Sequence, residues 1–173
     1  MWHTEWGPMA AVAGRRGLLR VILPHYDAAR LLGMLARRHP AARCDDRAFE
    51  EIRRLSRCYF SGAGAVDFGA IECDLPGEKS FAGMVYRACM KVPCGQTVSY
   101  SRLAQLVCRP LAVRAVAAAM SRNPLPLVVP CHRVINADGT VGGFSAPGGE
   151  ALKRRMLGME GSLQPPAGEG PSA

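Results

Sequence analysis

The sequence predicts an α+β protein. A small N-terminal α/β domain with a short antiparallel sheet is followed by a mainly helical C-terminal domain carrying a winged-helix-like helix-turn-helix. Three observations predict this. Before residue 78, short apolar runs alternate with two amphipathic helical patterns. Pro76-Gly77 then breaks the pattern. Beyond it helical periodicity dominates, and two short helical stretches are separated by only a tight turn. The division expected is therefore 1–78 as an N-terminal supporting domain, 79–161 as the C-terminal domain, and 162–173 as a flexible tail.

Taken in order, residues 1–16 read as a ragged start. Residues 18–23 form an apolar run of strand length. Residues 26–38 have helical amphipathicity ended by Pro40. Residues 45–58 predict a second helix, with Phe49, Ile52 and Leu55 at helical spacing and charges opposite. Residues 66–73 read as another strand. After the break, 81–92 predicts a buried helix closed by Pro93 and Gly95. Residues 100–108 predict a short helix capped by Ser99. A turn at Arg109-Pro110 leads to a helix over 111–122, with proline near the helix start. Residues 125–129 read as a buried strand, stopped by Pro130, which has no N–H for a ladder. Ala137-Asp138-Gly139 is a hairpin signal, 148–160 the last helix, and the Gly-, Pro- and Ser-rich end a tail.

Composition narrows the function class. The chain has 173 residues, 21% of them charged, and a mean hydropathy of +0.02, so it is long enough for a proper core and reads as ordinary and soluble. No apolar run approaches the roughly 20 residues of a membrane span, and the first 20 residues lack the basic-then-apolar order of a secretory signal. The expectation is an intracellular protein, cytoplasmic, or nuclear in a eukaryote, with no membrane contact. A net charge of +8 points to a polyanionic partner, nucleic acid first. The seven cysteines are odd in number, scattered and without a Cys-x-x-Cys pair, which suits a reducing interior. Nothing in their spacing, or in that of the histidines, asks for a metal.

The chemistry centres on Pro130-Cys131-His132-Arg133-Val134. A thiol beside an imidazole that can take its proton is the pattern of a nucleophile. Taken alone, such a pair is more often a buried thiol with a chance neighbour. The helix 111–122 adds a second unusual feature. If Val113, Val116 and Met120 face the core, then Leu111, Ala115 and Ala118 face outward with Arg114 on the flank. Small outward side chains permit close approach to another surface, and a lone cation can enter a groove. The alternative is a buried helix with Arg114 paired internally.

Together these residues resemble the O6-alkylguanine-DNA alkyltransferases, also called methylated-DNA–protein-cysteine methyltransferases. The likeness covers roughly residues 80–161. It rests on Val98-Ser99-Tyr100, Ala112-Val113-Arg114-Ala115-Val116, Asn123-Pro124, the Cys131 pentapeptide, Gly142-Gly143-Phe144-Ser145, and Lys153 and Glu160 on the last helix. The resemblance implies a monomer that binds double-stranded DNA through the minor groove and needs no cofactor. Ser101, Arg109, Ala112, Ala115 and Ala118 would lie at the DNA, and Arg114 would fill the stack vacated by an extruded nucleotide. The implied reaction is a single, irreversible transfer of an alkyl group from O6-alkylguanine, with O4-alkylthymine as an alternative substrate, to the Cys131 thiolate. His132 would be the base, Glu160 its orienter, and Tyr100 a hydrogen-bond donor to the leaving guanine. Backbone at Cys131 and Val134, with Phe144 and Ser145, would hold the base. Asn123, Arg133 and Lys153 would support the site.

Three positions depart from the family pattern. Phe144 stands where a tyrosine is frequent, Tyr86 where a tryptophan is usual, and Ala146-Pro147 lengthens the loop before the last helix. The zinc ligands that some members carry in the N-terminal domain do not map onto this sequence. Three other readings compete. A non-catalytic alkyltransferase-like lesion binder would lack Cys131. A transcription regulator would leave Cys131, His132 and Glu160 unexplained. A cysteine hydrolase would turn over repeatedly and need no DNA.

Overall fold

Residues that lack periodicity in the sequence form strands in the computed structural model, which describes residues 1–45 and 47–162. In place of a ragged start, the chain opens with β1 (Trp2–Thr4) and β2 (Gly7–Gly14), followed by β3 (Gly17–Ile22). These make one antiparallel sheet in the order β1-β2-β3, with a register irregularity between Val12 and Ala13. The run Ala10-Ala11-Val12-Ala13 hides its alternation because alanine carries little polar contrast. The pleat still alternates: Met9 enters the main core, while Ala10 joins Ile22 and Leu31 on the other face. That face is covered by α1 (Ala28–Arg38), capped by Asp27, whose carboxylate accepts from the Arg30 N–H.

The second expected helix, 45–58, is a 3-10 turn at Arg47–Phe49 continuing into α2 (Glu50–Phe60). It packs on β1, where the Trp2 Nε1–H donates to Ser56 Oγ at 2.8 Å. The strand expected over 66–73 is a loop. Asp67 caps the Gly69 N–H at 2.7 Å and Ile71 N–H turns back to Phe68. Only Cys73 bridges to Leu18. Gly69 and the Asx turn outweigh the apolar content there.

Beyond Gly77, α3 (Phe81–Met90) starts at Ser80, whose hydroxyl accepts from the Gly83 N–H. Then come β4 (Val98–Ser99), α4 (Tyr100–Leu106) capped by Ser99, and α5 (Val113–Ser121). The last helix of this pair begins at Val113 instead of 111, because the Ala112 N–H bonds back to Arg109 in a closed turn. Pro110 sits in that turn, and Cys108 takes a φ of 58°. The strand expected over 125–129 is also absent. The prolines at 124 and 126 remove two ladder donors, Leu127 adopts a φ of 76°, and the Val129 N–H bonds to the Leu125 carbonyl. Burial of Leu125, Leu127, Val128 and Val129 is met by a coil.

A 3-10 turn, Cys131–Arg133, leads into β5 (Val134–Ile135), which pairs in parallel with β4. Ala137-Asp138-Gly139 does turn, but no second hairpin strand follows; β5 finds its partner 36 residues back, at Val98. The chain then reaches α6 (Gly149–Met159). The architecture is thus mixed α/β, with a small antiparallel sheet and six α-helices among the described residues. The tail expected over 162–173 lies outside the described residues except for Ser162. One apolar cluster joins both halves of the chain, with Trp2, Met9, Tyr59 and Phe60 alongside Val85, Leu103, Val116 and Met156. No helix among the described residues is long and apolar enough to cross a membrane.

Candidate active site

The parallel register of β4 and β5 places the start of α4 beside the Cys131 turn, since Val98 faces Val134 and Ser99 faces Ile135. Tyr100 follows β4 directly, and Cys131 comes three residues before β5. A cavity of about 510 Å³ is bounded by Tyr100, Arg114, Met120, Cys131, Phe144 and Ser145. Residues from four separate sequence motifs therefore meet at one opening. A second cavity, about 370 Å³, shares Cys131, Phe144 and Ser145 with the first and is also bounded by Arg20, Arg38 and Arg122.

Cys131 is 6% exposed. Asn123 holds its place: Nδ2 donates to the Val129 carbonyl at 2.8 Å and to Cys131 Sγ at 3.0 Å, while Oδ1 accepts from the Leu125 N–H. This single amide clamps the coil where a strand was expected. Burial pushes the Cys131 thiol above its ordinary value, opposed by the Asn123 hydrogen bond and the Lys153 charge. The resting group is a thiol.

His132 is fully buried, and its Nε2 lies 2.8 Å from Glu160 Oε1. Glu160 caps the end of α6. Its oxygens also accept from Arg133, Nε to Oε2 and Nη2 to Oε1, both at 2.9 Å, and Arg133 Nη1 donates to the Val92 carbonyl. A further donor comes from α2: the Tyr59 hydroxyl reaches Glu160 Oε1 at 2.7 Å and lies 3.3 Å from His132 Nε2. Burial opposes ionisation of Glu160, but the hydrogen bonds from His132, Arg133 and Tyr59 hold its carboxyl well below the carboxylate range. Burial lowers His132 against the pull of Glu160, so the imidazole is neutral at pH 7.

The network assigns the tautomer. An ionised Glu160 only accepts, so Nε2 carries the ring proton. Nδ1 is left as a bare lone pair, buried and without a hydrogen-bond partner among the described residues. A buried, unpaired acceptor is costly in a purely structural histidine. It is what a proton acceptor requires.

Lys153 is also fully buried. Its Nζ donates to the carbonyls of Val134 and Val141, both at 2.6 Å, and lies 5.7 Å from the centre of the Tyr100 ring. Burial lowers it to about 8, against the pull of Cys131 and Glu150. One lone pair of the Val134 carbonyl is thus committed to Lys153. The Val134 side chain is fully buried and does not bound the cavity with Cys131.

The α4–α5 face is as its pattern suggests. Val116 and Met120 are buried, Arg114 and Ala115 are exposed, and Ala112 and Ala118 are intermediate. Leu111 is 99% exposed, and Arg109 is exposed with Nη1 on the Cys108 carbonyl. Ser101 Oγ lies 2.9 Å from Ser99 Oγ. The Tyr86 hydroxyl donates to the Ala119 carbonyl and ties α3 to α5. Tyr59 is the residue sequence reasoning missed. On α2 it reads as one more apolar-face residue, and only the 101-residue reach to Glu160 distinguishes it. Among the described residues, no group of three or more His, Cys, Asp or Glu side chains could hold a metal ion.

Comparisons with known proteins bear on this arrangement. The family described as "6-O-methylguanine DNA methyltransferase, DNA binding domain" matches residues 80–162. The chain is 46% identical over 85 residues to the methylated-DNA–protein-cysteine methyltransferase of Mus musculus, covering 49% of this chain and 40% of that one. It is 43% identical over 114 residues to the protein of the same name from Methanothermobacter thermautotrophicus, covering 66% of this chain and 62% of that one. The chain thus spans less than two thirds of the length of either relative. Among solved structures, Mycobacterium tuberculosis OGT in complex with DNA superposes with a TM-score of 0.74 at 30% identity, covering 93% of this chain and 91% of that one.

Proposed function

This chain belongs to the methylated-DNA–protein-cysteine methyltransferase family, and we propose that it repairs DNA by moving the alkyl group of O6-alkylguanine onto Cys131 in a single, irreversible step. The observation that carries the reading is the shared cavity. Tyr100, Arg114, Cys131, Phe144 and Ser145, far apart in sequence, bound one space next to a thiol whose neighbouring imidazole keeps a free nitrogen.

The proposed electron flow uses these groups as follows. His132 Nδ1 takes the thiol proton, through a bridging water as in the family, and Glu160 stabilises the imidazolium through Nε2. The sulfur attacks the alkyl carbon, the S–C bond forms, and the C–O6 bond breaks with its electron pair left on the guanine. Tyr100 donates a hydrogen bond as that charge develops. The proton lost by the thiol is returned to the departing guanine from the histidine by way of solvent, so thiol and alkylguanine become thioether and guanine. A thioether is not hydrolysed by water, so each molecule acts once. Burial keeps Cys131 as a thiol at rest, which spares it from other electrophiles until a lesion is seated.

The α4–α5 pair serves as a helix-turn-helix in the minor groove. Ala112, Ala115 and Ala118 allow close approach, Arg114 enters the stack where the nucleotide has been extruded, and Ser101 and Arg109 contact the backbone. Residues 1–78 serve as a supporting domain for residues 79–161.

Intact-mass measurement with a duplex bearing O6-methylguanine tests the proposal. The expected result is a gain of about 14 Da at Cys131, limited to one event per molecule. Cys131→Ser should bind the duplex and gain nothing. An unchanged mass with the lesion bound would instead establish a non-catalytic lesion binder. Arg114→Ala should slow transfer from duplex DNA without altering the thiol.

A further inference from the structure

We propose that Tyr59 is a positioning residue for the transfer, by which helix α2 of the N-terminal region fixes the proton of His132 on Nε2 and moderates the pull of Glu160 on it. The inference rests on the reading of Cys131 as the nucleophile and His132 as its base. A hydroxyl has one proton, and Tyr59 directs it to Glu160 Oε1 at 2.7 Å. Its 3.3 Å approach to His132 Nε2 therefore meets the ring as an oxygen lone pair, which Nε2–H can share with Glu160. Both contacts favour the tautomer that frees Nδ1.

The same oxygen of Glu160 receives Tyr59, His132 and Arg133. Each donor takes part of the carboxylate's charge, so the strength with which Glu160 draws on the histidine depends on the others. Tyr59 is 1% exposed, and its ring is wedged against Phe60 and Phe68. The hydroxyl is thereby fixed by packing, and burial together with the Glu160 charge raises it far above the usual phenol, so it stays a donor throughout the working pH range. Other charged or titratable groups facing this network are Arg133 on the 3-10 turn, Cys94 after α3, and Lys153 on α6. Cys131 itself faces Lys153, Cys89, Tyr86 and Tyr100. None of these others comes from the N-terminal region. Tyr59 is that region's only titratable side chain in the network among the described residues.

The test is Tyr59→Phe, which keeps the ring and removes the hydroxyl. Single-transfer rates from a saturating O6-methylguanine duplex are measured from pH 5 to 9 for both proteins. With one donor fewer, Glu160 draws harder on Nε2–H and makes Nδ1 more basic, so the imidazole is protonated, and lost as a base, at higher pH. The acid limb of the variant should move up by about half a pH unit or more, consistent with loss of part of one charge-assisted hydrogen bond. Superimposable limbs, a move to lower pH, or a uniform fall in rate would overturn the inference. Ser56→Ala, one turn earlier on α2, is the structural control and should lower stability without moving the limb. Nitrogen NMR of the wild-type His132 ring gives an independent check that needs no variant: Nε2–H is expected, and Nδ1–H would overturn the inference. Failure of the wild-type protein to alkylate Cys131 at all would overturn the proposed function instead.

Discussion

Residues 1–78 and 79–173 divide the charge of this chain unequally. The first stretch holds eleven arginines against ten acidic residues, the second eleven Lys and Arg against four. Almost all of the net positive charge therefore lies with the helix pair and the thiol, where a polyanion would be met. The near-neutral first stretch nevertheless reaches the site: the Val21 N–H on β3 donates to the Pro124 carbonyl at 2.9 Å, Tyr59 donates to Glu160, and Arg20 and Arg38 bound the second cavity at Cys131. The difference teaches that net charge collects on the half that carries the helix pair, while the groups that set the surroundings of the Cys131 thiol also come from a half with almost none. The two halves also share one apolar cluster, so the basic half does not fold around a private core.

The comparison can be broken most forcefully at Glu160. Glu160→Ala leaves the buried Arg133 guanidinium and the Tyr59 hydroxyl without their acceptor, and the expected loss is about 3–5 kcal/mol in urea unfolding. A loss below about 1 kcal/mol would mean that the network joining the halves is not a structural tie. Next comes Lys153→Met, which orphans two buried carbonyls wholly within the second half. A loss of about 2–3 kcal/mol is expected from the same measurement, together with slower transfer because the Lys153 charge that favours the Cys131 thiolate is gone.

Acid should find the network before it finds the rest of the first half. Glu160 is held below the carboxylate range in the fold, so its stabilisation is complete above the ordinary value of 4.5 and is lost as pH falls beneath it. His132 is held below 6.5, so the unfolded chain binds a proton that the folded one refuses, and stability falls as pH drops through that value. Both act in the same direction. Urea midpoints at pH 7, 5 and 3 should decline, and Glu160→Gln should flatten the step between pH 5 and 3. An equal decline in the variant would place the acid sensitivity elsewhere. The smallest contrast lies in two helix caps, Asp27 on α1 and Ser99 on α4. Replacing either by alanine should cost about 1 kcal/mol, but only Ser99→Ala should also weaken binding to duplex DNA, because α4 carries Tyr100. Equal effects of the two on DNA binding would blur the division between the halves.

The second half was more legible than the first. Ser99, Pro93 and the helical spacing of Val116 and Met120 state their structural roles locally, and the helices appear within a few residues of where they were expected. The strands were not local. β1 and β2 are rich in small residues, and the apolar runs at 66–73 and 125–129 are buried without ladders, because Asp67, Gly69, Pro124, Pro126 and Leu127 impose turns.

By itself the sequence determined the helices of the second half, the motif residues from Tyr100 to Glu160, and the cationic character of that half, because caps, spacing and charge act over a few residues. Only the tertiary structure decided three other things: that β4 lies beside β5, that Asn123 clamps Cys131, and that Tyr59 reaches a carboxylate 101 positions away. Those depend on how separate elements pack, and a hydrogen bond with a reach of about 3 Å leaves no trace in local periodicity.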